Sequence, residues 1–506
     1  MATKAEVSQL GETADVERCE HASDEKRAII PKSGVDDALQ MALDSKDETW
    51  TEEEERRVLW KIDLVLIPLL FLGAVVGYSD GQAYGFAALF GLVEDLKLFT
   101  ATVVDGHIVL DTSKYQFTSA ITSLGGAAAQ YLLLFPAQLL PAGIVYGAMM
   151  VYIGLTAILT IVCQNFEQIM ALRWKTNEQP LRIGITIAGN AVGSLVGIGV
   201  DFGAVKLGGV FATSRWKWIY VILGSCALLA GMVIMFLLPA TPMKAWFLTP
   251  RERHIAVRRV MSNNTGIHTR KFKLHQALSA FLDPQVYALC IFCFTFAFCN
   301  VAISSFGGFL ITSFGYSQTR ALLLSMPASG IAVVCLVLSG ILGSRFPRHR
   351  IIIAIAFILP SLMGNIMLWK TSRDNKAALL GGLYISTTFY GSLVQHYSLL
   401  AANIGGHSKK TIVMGTITIM GALGGFSGPW AYKGSQTAQG YPDGQIATLS
   451  LFCASILAYI ILWFYYTSCN AKKATILMEH PELAADPMIA FMDMTDRENP
   501  AFQYAR

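Results

Sequence analysis

The chain has 506 residues, 53% of them hydrophobic and 15% charged, and a formal net charge of +4. Soluble chains carry nearer a quarter charged residues, and here the apolar residues gather in runs of the roughly 20 that a helix needs to cross a bilayer. A soluble globular protein is thereby excluded, the small charge gives no sign of a nucleic-acid partner, and an all-α polytopic membrane protein is expected.

In chain order, residues 1–57 are polar and charged and end in TEEEERR. They hold no apolar signal-peptide core, so a disordered cytosolic tail is expected, and the first membrane helix serves as the insertion signal. Apolar runs bounded by charge, Gly or Pro predict helices at 62–80, 117–138, 143–163, 183–203 and 218–239. After a gap come 285–306, 320–343, 350–369, 378–401, 411–431 and 447–467, eleven in all. The expected domains are the tail 1–57, an N-terminal transmembrane half 58–239, a central linker 240–284, a C-terminal transmembrane half 285–468 and a cytosolic C-terminal tail 469–506.

Charge assigns the sides. Lys244, Arg251, Arg253, Arg258, Arg259, Arg270, Lys271 and Lys273 make the linker basic and therefore cytosolic, and Arg56, Arg57 and Lys61 do the same for the approach to the first helix. Two cytosolic points need an even number of crossings between them, yet five runs separate these two. Lys206, Arg215 and Lys217 pull the other way, since an even count puts their loop outside, but the linker carries more basic residues. A crossing is missing from the first half.

Internal similarity locates it. GGHSKKT leads into a helix with Gly421, Gly425 and Gly428, and KTNEQPLR leads into one with Gly189, Gly193 and Gly197. Small residues at this spacing let two helices approach closely, so the pair reads as equivalent packing helices of a repeated unit. A full run, 378–401, stands before HSKKT, whereas only the amphipathic fragment 167–174 stands before KTNEQPLR. The fourth helix is expected to be truncated near 167–182.

Of nine cysteines, Cys163, Cys226, Cys290, Cys293, Cys299, Cys335 and Cys453 lie in apolar runs without framework spacing. Cys290 and Cys293 form a lone CxxC inside a hydrophobic helix, where thiols pack as small hydrophobes. No lysine-bearing phosphate loop, HExxH or GxSxG occurs, which disfavours ATP-driven transport and common hydrolase chemistry. No enzyme activity, cofactor or metal is expected. Asn263–Asn264–Thr265 matches a glycosylation sequon but falls in the cytosolic linker, so it is set aside.

Five stretches carry a family resemblance: GYSDGQAYGFAALFGL, KTNEQPLRIGI, FLTPRERHIAVRRVMSNNTGIHTRKFK, LLLSMPASG and NIGGHSKKTIVMG. With them the chain resembles the fungal allantoate-permease-like branch of the anion:cation symporters, within the major facilitator superfamily. The resemblance implies a major facilitator fold of two six-helix halves, with about eleven full transmembrane helices here because the fourth is deleted. It also implies both termini in the cytosol, alternating access and proton-coupled uptake of a small organic anion. Family members carry a fourth helix between ALR and WYK, whereas here Arg173 runs straight into Trp174 and Lys175. Conversely, Phe99–Asp111 (FTATVVDGHIVLD) reads as an insertion.

Polar residues inside a membrane helix are costly unless they face a cavity or find partners, which makes them the candidates for transport. Asp80 matches an acidic position of the family and is a candidate for proton coupling and the cavity, or else an interfacial charge. Gly81 stands where relatives often carry a basic residue. Tyr384, Thr388, Ser392, Gln395 and Asn403 fall on one helical stripe, read as cavity wall or as hydrogen-bonded helix packing. His396 beside them is a proton-relay candidate or a structural histidine. Asn300 and Ser304, one turn apart, and Asn190 are further cavity candidates. Glu178, Gln179 and Arg182, and in the second half Arg345, Arg348 and Arg350, are candidates for gating contacts.

The expected function is proton-coupled import of a small carboxylate, ureide or vitamin by a monomeric multi-pass protein of the plasma membrane, its partners being an anionic substrate, protons and lipid. The alternatives are an exporter of a secondary metabolite and a non-transporting, receptor-like remnant.

Overall fold

The computed structural model describes residues 50–104, 107–125, 141–163, 168, 183–207, 214–239, 245–262, 273–479, 495–499 and 502–506, with Asn190 described in its backbone only. The expected truncation at 167–182, including Glu178, Gln179 and Arg182, therefore lies outside the described residues apart from Gln168.

Helix starts are written locally. Thr51 and Thr249, each three positions before a glutamate, cap helices reciprocally, and Thr495 makes the same pair at a non-helical turn. The Thr249 N–H donates to the Glu252 carboxylate at 3.0 Å, and the Glu252 N–H donates to the Thr249 hydroxyl at 3.4 Å. Thr51 with Glu54 and Thr495 with Glu498 repeat the arrangement.

The chain divides into two units, Met1–Leu64 with Pro239–Thr265, and Val65–Leu238 with Gly266–Arg506. In the smaller unit, the first turns of α1 (Glu52–Ala87) lie against α6 (Pro250–Ser262). Val58, Ala245, Leu248, Ile255 and Ala256 form their shared core. Lys61 pairs with Glu252 at 2.7 Å and Arg251 with Glu54 at 3.1 Å. The basic linker thus contains an amphipathic helix whose charges are partly spent on acidic residues of the first helix.

The larger unit is the helical bundle. Beyond α1 come α2 (113–125), α3 (Ala142–Leu159), α4 (Ile183–Lys206) and α5 (Arg215–Leu237). The second group is α7 (Leu274–Phe281), α8 (Pro284–Ser313), α9 (Gln318–Arg345), α10 (Arg350–Lys370), α11 (Lys376–Ser386), α12 (Tyr390–Asn403), α13 (His407–Ser427) and α14 (Pro442–Glu479). Among the described residues, nine helices are long and apolar enough to cross a membrane. The other two expected crossings, 117–138 and 183–203, are helical over 113–125 and Ile183–Lys206.

Glycine stripes set the pairings. On α4, Gly189 meets Ala74, Gly193 meets Val75 and Gly197 meets Ser79, all on α1. On α13, Gly421 meets Cys293 and Gly424 meets Phe294, and Gly428 just past its end meets Phe298, all on α8, while Gly425 meets Ser123 on α2 as well as Val301 on α8. The two glycine-rich helices thus occupy equivalent places against the first helix of each group, while α3 and α5 interlock through Gly147, Gly154, Gly224 and Gly231. Large apolar residues on the outer faces, such as Phe236 at 81% exposure, suit contact with lipid chains.

α1 does not stop at Ala87 but winds through a wider turn, Ala88–Leu92, in which Gly91 takes a φ of +110° that a side chain would resist. A last α-helical turn, Val93–Asp95, follows, and the Asp95 carboxylate accepts from the buried Trp216 indole at 2.7 Å. The insertion then departs from the all-helical expectation. β1 (Thr100–Val104) pairs antiparallel with β2 (His107–Asp111), from Thr100 opposite Asp111 to Val104 opposite His107. The linking Asp105–Gly106 is the dipeptide that favours tight hairpins.

The two helix groups are joined at the end of the bundle that carries this hairpin. Tyr115 stacks on Tyr84 at 4.9 Å and donates its hydroxyl to the Ser305 carbonyl at 2.6 Å. Ser119 meets the Ser305 hydroxyl at 2.6 Å, and Gln116 donates to the Tyr432 carbonyl at 2.8 Å. A Cβ on Gly85 would collide with the Ser304 carbonyl, so the close approach of α1 and α8 requires glycine there.

Candidate functional site

Midway along the bundle, α1, α8 and α12 converge on one amide. The Asn300 side-chain oxygen accepts from the Tyr78 hydroxyl at 2.8 Å and from the Tyr390 hydroxyl at 2.6 Å. Gln82, one turn past Tyr78 on α1, is hydrogen-bonded to Tyr78 as well. Phe296 and Phe389 pack against Tyr390 with ring centroids 5.6 Å and 4.5 Å away. Asn300 is half-buried, and with its oxygen committed to the phenols, its NH₂ keeps two donors for another partner. A neutral cluster of phenol and amide groups in an aromatic wall can orient a small polar molecule by hydrogen bonds.

Asn300, a candidate from the sequence, is thus at the centre. Asp80 lies on α1 two residues beyond Tyr78 and is half-buried. Ser304 donates its hydroxyl back to the Val301 carbonyl at 3.0 Å.

The stripe expected along the tenth run does not form one wall. A 3₁₀ turn at Thr387–Phe389 separates α11 from α12, and its tighter winding shifts the phase of every later side chain. Each polar group is engaged in packing instead. Tyr384 donates to the Leu324 carbonyl at 2.9 Å, Thr388 to the Phe357 carbonyl at 3.1 Å and Ser392 to the Phe389 carbonyl at 2.6 Å. Gln395 donates to the Ser339 carbonyl at 2.6 Å, and Asn403 exchanges two hydrogen bonds with the Ala505 backbone. Tyr390, off the stripe, is the residue of this helix that reaches Asn300. His396 is fully buried and stacked on Phe292 at 4.5 Å, with neither ring nitrogen hydrogen-bonded among the described residues. Of the gating candidates, Arg345 and Arg348 are exposed, and Arg350 donates to the Ser398 carbonyl at 3.2 Å.

Sequence reasoning passed over Tyr78, Gln82 and Tyr390, because aromatic residues in membrane helices are commonplace and only their convergence on Asn300 distinguishes these two. It also passed over Lys409 in GHSKK. Lys409 is fully buried at the opposite end of the bundle, between Asp283 at 2.6 Å and Asp496 at 2.7 Å. Asp283 also caps α8. Asp496 lies in the described segment 495–499, and in the segment 502–506 Tyr504 stacks on Tyr466 at 5.1 Å and the Arg506 carbonyl accepts from the Arg350 N–H at 2.7 Å.

Two helix groups in repeated arrangement around a polar cluster on the first helix of each define the architecture of a secondary transporter, an integral multi-pass membrane protein moving a small molecule. The chain belongs to the Major Facilitator Superfamily, whose family model matches residues 60–429, and within it to the allantoate permease-like fungal transporters. An uncharacterized transporter of Schizosaccharomyces pombe is 29% identical over 98% of this chain and 96% of its own. The allantoate permease of Saccharomyces cerevisiae is 27% identical over 99% of this chain and 96% of its own. Among solved structures, a bacterial homologue of the human lysosomal transporter Spinster, inward-facing and unoccupied, matches with a TM-score of 0.57 at 13% identity, over 81% of this chain and 97% of that one.

Proposed function

We propose that this transporter imports a small organic anion, a carboxylate of ureide or vitamin type, together with a proton, by alternating access across the plasma membrane. The observation that carries the reading is the Tyr78–Asn300–Tyr390 cluster, which draws on the first helix of each group and on α12. The Asn300 NH₂ donors suit a carboxylate, since hydrogen bonds to a charged acceptor contribute about 1.5–3 kcal/mol. Likeness to an allantoate permease along nearly the whole chain supports the substrate class. The basic linker and the basic approach to α1 support cytosolic placement for both termini and the linker, which puts the hairpin outside. The working unit is a monomer.

Radiolabelled allantoate and a panel of other small carboxylates, offered to yeast lacking its own carriers, tests the reading. Uptake of at least one should rise as external pH falls. Accumulation of none of them at any pH overturns it.

A further inference from the structure

α4 carries one acidic residue, Asp201. Asp201 is fully buried, and neither oxygen of its carboxylate meets a hydrogen-bond donor among the described residues. An ionised carboxylate held dry and unpaired costs several kcal/mol, so an acid in this position calls for a cation.

The packing of α4 on α1 shows where that cation would sit. Contacts step along the pair from Gly189 with Ala74, through Gly193 with Val75, to Gly197 with Ser79. The Ser79 hydroxyl ties the two helices by donating to the Gly193 carbonyl at 2.7 Å. Asp80 is the next residue on α1 after Ser79 and Asp201 lies one turn past Gly197, so the register of the pair carries both carboxylates to the same end of the α1–α4 contact. From α9, Met326 approaches Gly199 and Ser329 bonds Ser194 at 2.8 Å, neither of them charged, and Arg320 on the first turn of α9 is exposed. From α5, Trp216 and Tyr220 join the buried cluster around this end of α4, with Lys217 over the Trp216 ring. Lys206, on the last turn of α4 itself, lies over the Phe202 ring at 4.5 Å.

We propose that Asp201 and Asp80 together form the proton-binding site of the transport cycle. The inference rests on the proton-coupled reading above and adds Asp201 to it. A proton from water on one side joins a carboxylate oxygen of the pair, giving a neutral acid beside one carboxylate, and later leaves to water on the other side. While held, it removes both the cost of a dry anion and the repulsion between like charges. Asp80 is two residues from Tyr78, so loading the pair and filling the Asn300 cluster act on the same stretch of α1.

Infrared difference titration of the purified full-length protein reads the proton without any substrate. A protonated-carboxyl C=O band should appear as pH falls and should be lost or displaced in both D201N and D80N. A band that persists unchanged in D201N overturns the proposal. Should D201N not fold, D201E gives the same decision, since a participating residue shifts the titration midpoint and a bystander leaves it in place. In proteoliposomes, D201N should retain allantoate counterflow but lose accumulation driven by a pH gradient by about tenfold or more, and undiminished accumulation also overturns the proposal. If the wild type moves neither allantoate nor any other carboxylate of the panel, the substrate reading fails and the infrared titration still decides the proton site.

Discussion

Asn300 holds two phenols with one oxygen, and that economy makes its replacement informative. N300A removes the acceptor shared by Tyr78 and Tyr390 and the NH₂ proposed above to hold the substrate. The KM for the transported carboxylate should rise about tenfold or more, matching the ~1.5–3 kcal/mol of a hydrogen bond to a charged group, while protein abundance stays near wild type. Initial-rate uptake against concentration measures it, and an unchanged KM would remove Asn300 from the site. His396 makes the contrasting case. Its ring lies flat on Phe292 with no hydrogen-bond partner among the described residues, so it packs as an aromatic disc. H396F should keep both the uptake rate and its pH profile, and a flattened profile would restore the histidine to proton coupling. Asn300 was legible in the sequence because an amide in a membrane helix is costly and rare. Asp201 carried the same signal, but two residues from the end of its expected run it read as a helix terminus, and only its burial shows otherwise.

At the scale of elements, regular periodicity was legible and its interruptions were not. The glycine spacings of α4 and α13 specify close packing wherever those helices go, and both are found against the first helix of their group. On α11 and α12 the polar side chains make the hydrogen bonds of helix packing, the alternative to a cavity wall, and a three-residue 3₁₀ turn that nothing in TTF marks changes the winding between them. The docked C-terminal segment was equally hidden. Its residues read as a polar tail until Asp496 meets Lys409 and Tyr504 meets Tyr466. That triad of Asp283, Lys409 and Asp496 holds α8, α13 and the C-terminal segment together in a site closed to water. Breaking a buried ion pair by removing one partner costs about 3–5 kcal/mol, whereas replacing all its members is far milder. K409A should therefore lower the thermal unfolding temperature in detergent sharply, and K409M/D283N/D496N should recover much of the loss. Equal destabilisation by both variants would mean that volume rather than charge pairing holds the segment down.

For the whole molecule, composition and run lengths gave the class, charge gave an expectation for the sides, and no local signal gave the conformation. Contacts between the two helix groups gather at the hairpin end, where Tyr84, Tyr115, Gln116 and Ser119 meet Ser305, Phe306 and Tyr432. Such long-range pairings depend on how two amphipathic surfaces dock, which single-helix periodicity does not encode. Under the alternating access proposed above, the seam between α2 and α8 is expected to open once in each cycle. Ser119 and Ser305 present their hydroxyls to each other across that seam at 2.6 Å. The pair S119C/S305C on a background cleared of accessible cysteines should form a disulfide under mild oxidation. Uptake should stop when the bond forms and return on reduction, while each single variant stays active. Transport that continues with the bond closed would show that the seam is a static scaffold, and the moving parts would then have to be sought along α4 and α9, where Ser194 and Ser329 make a further serine pair between the groups.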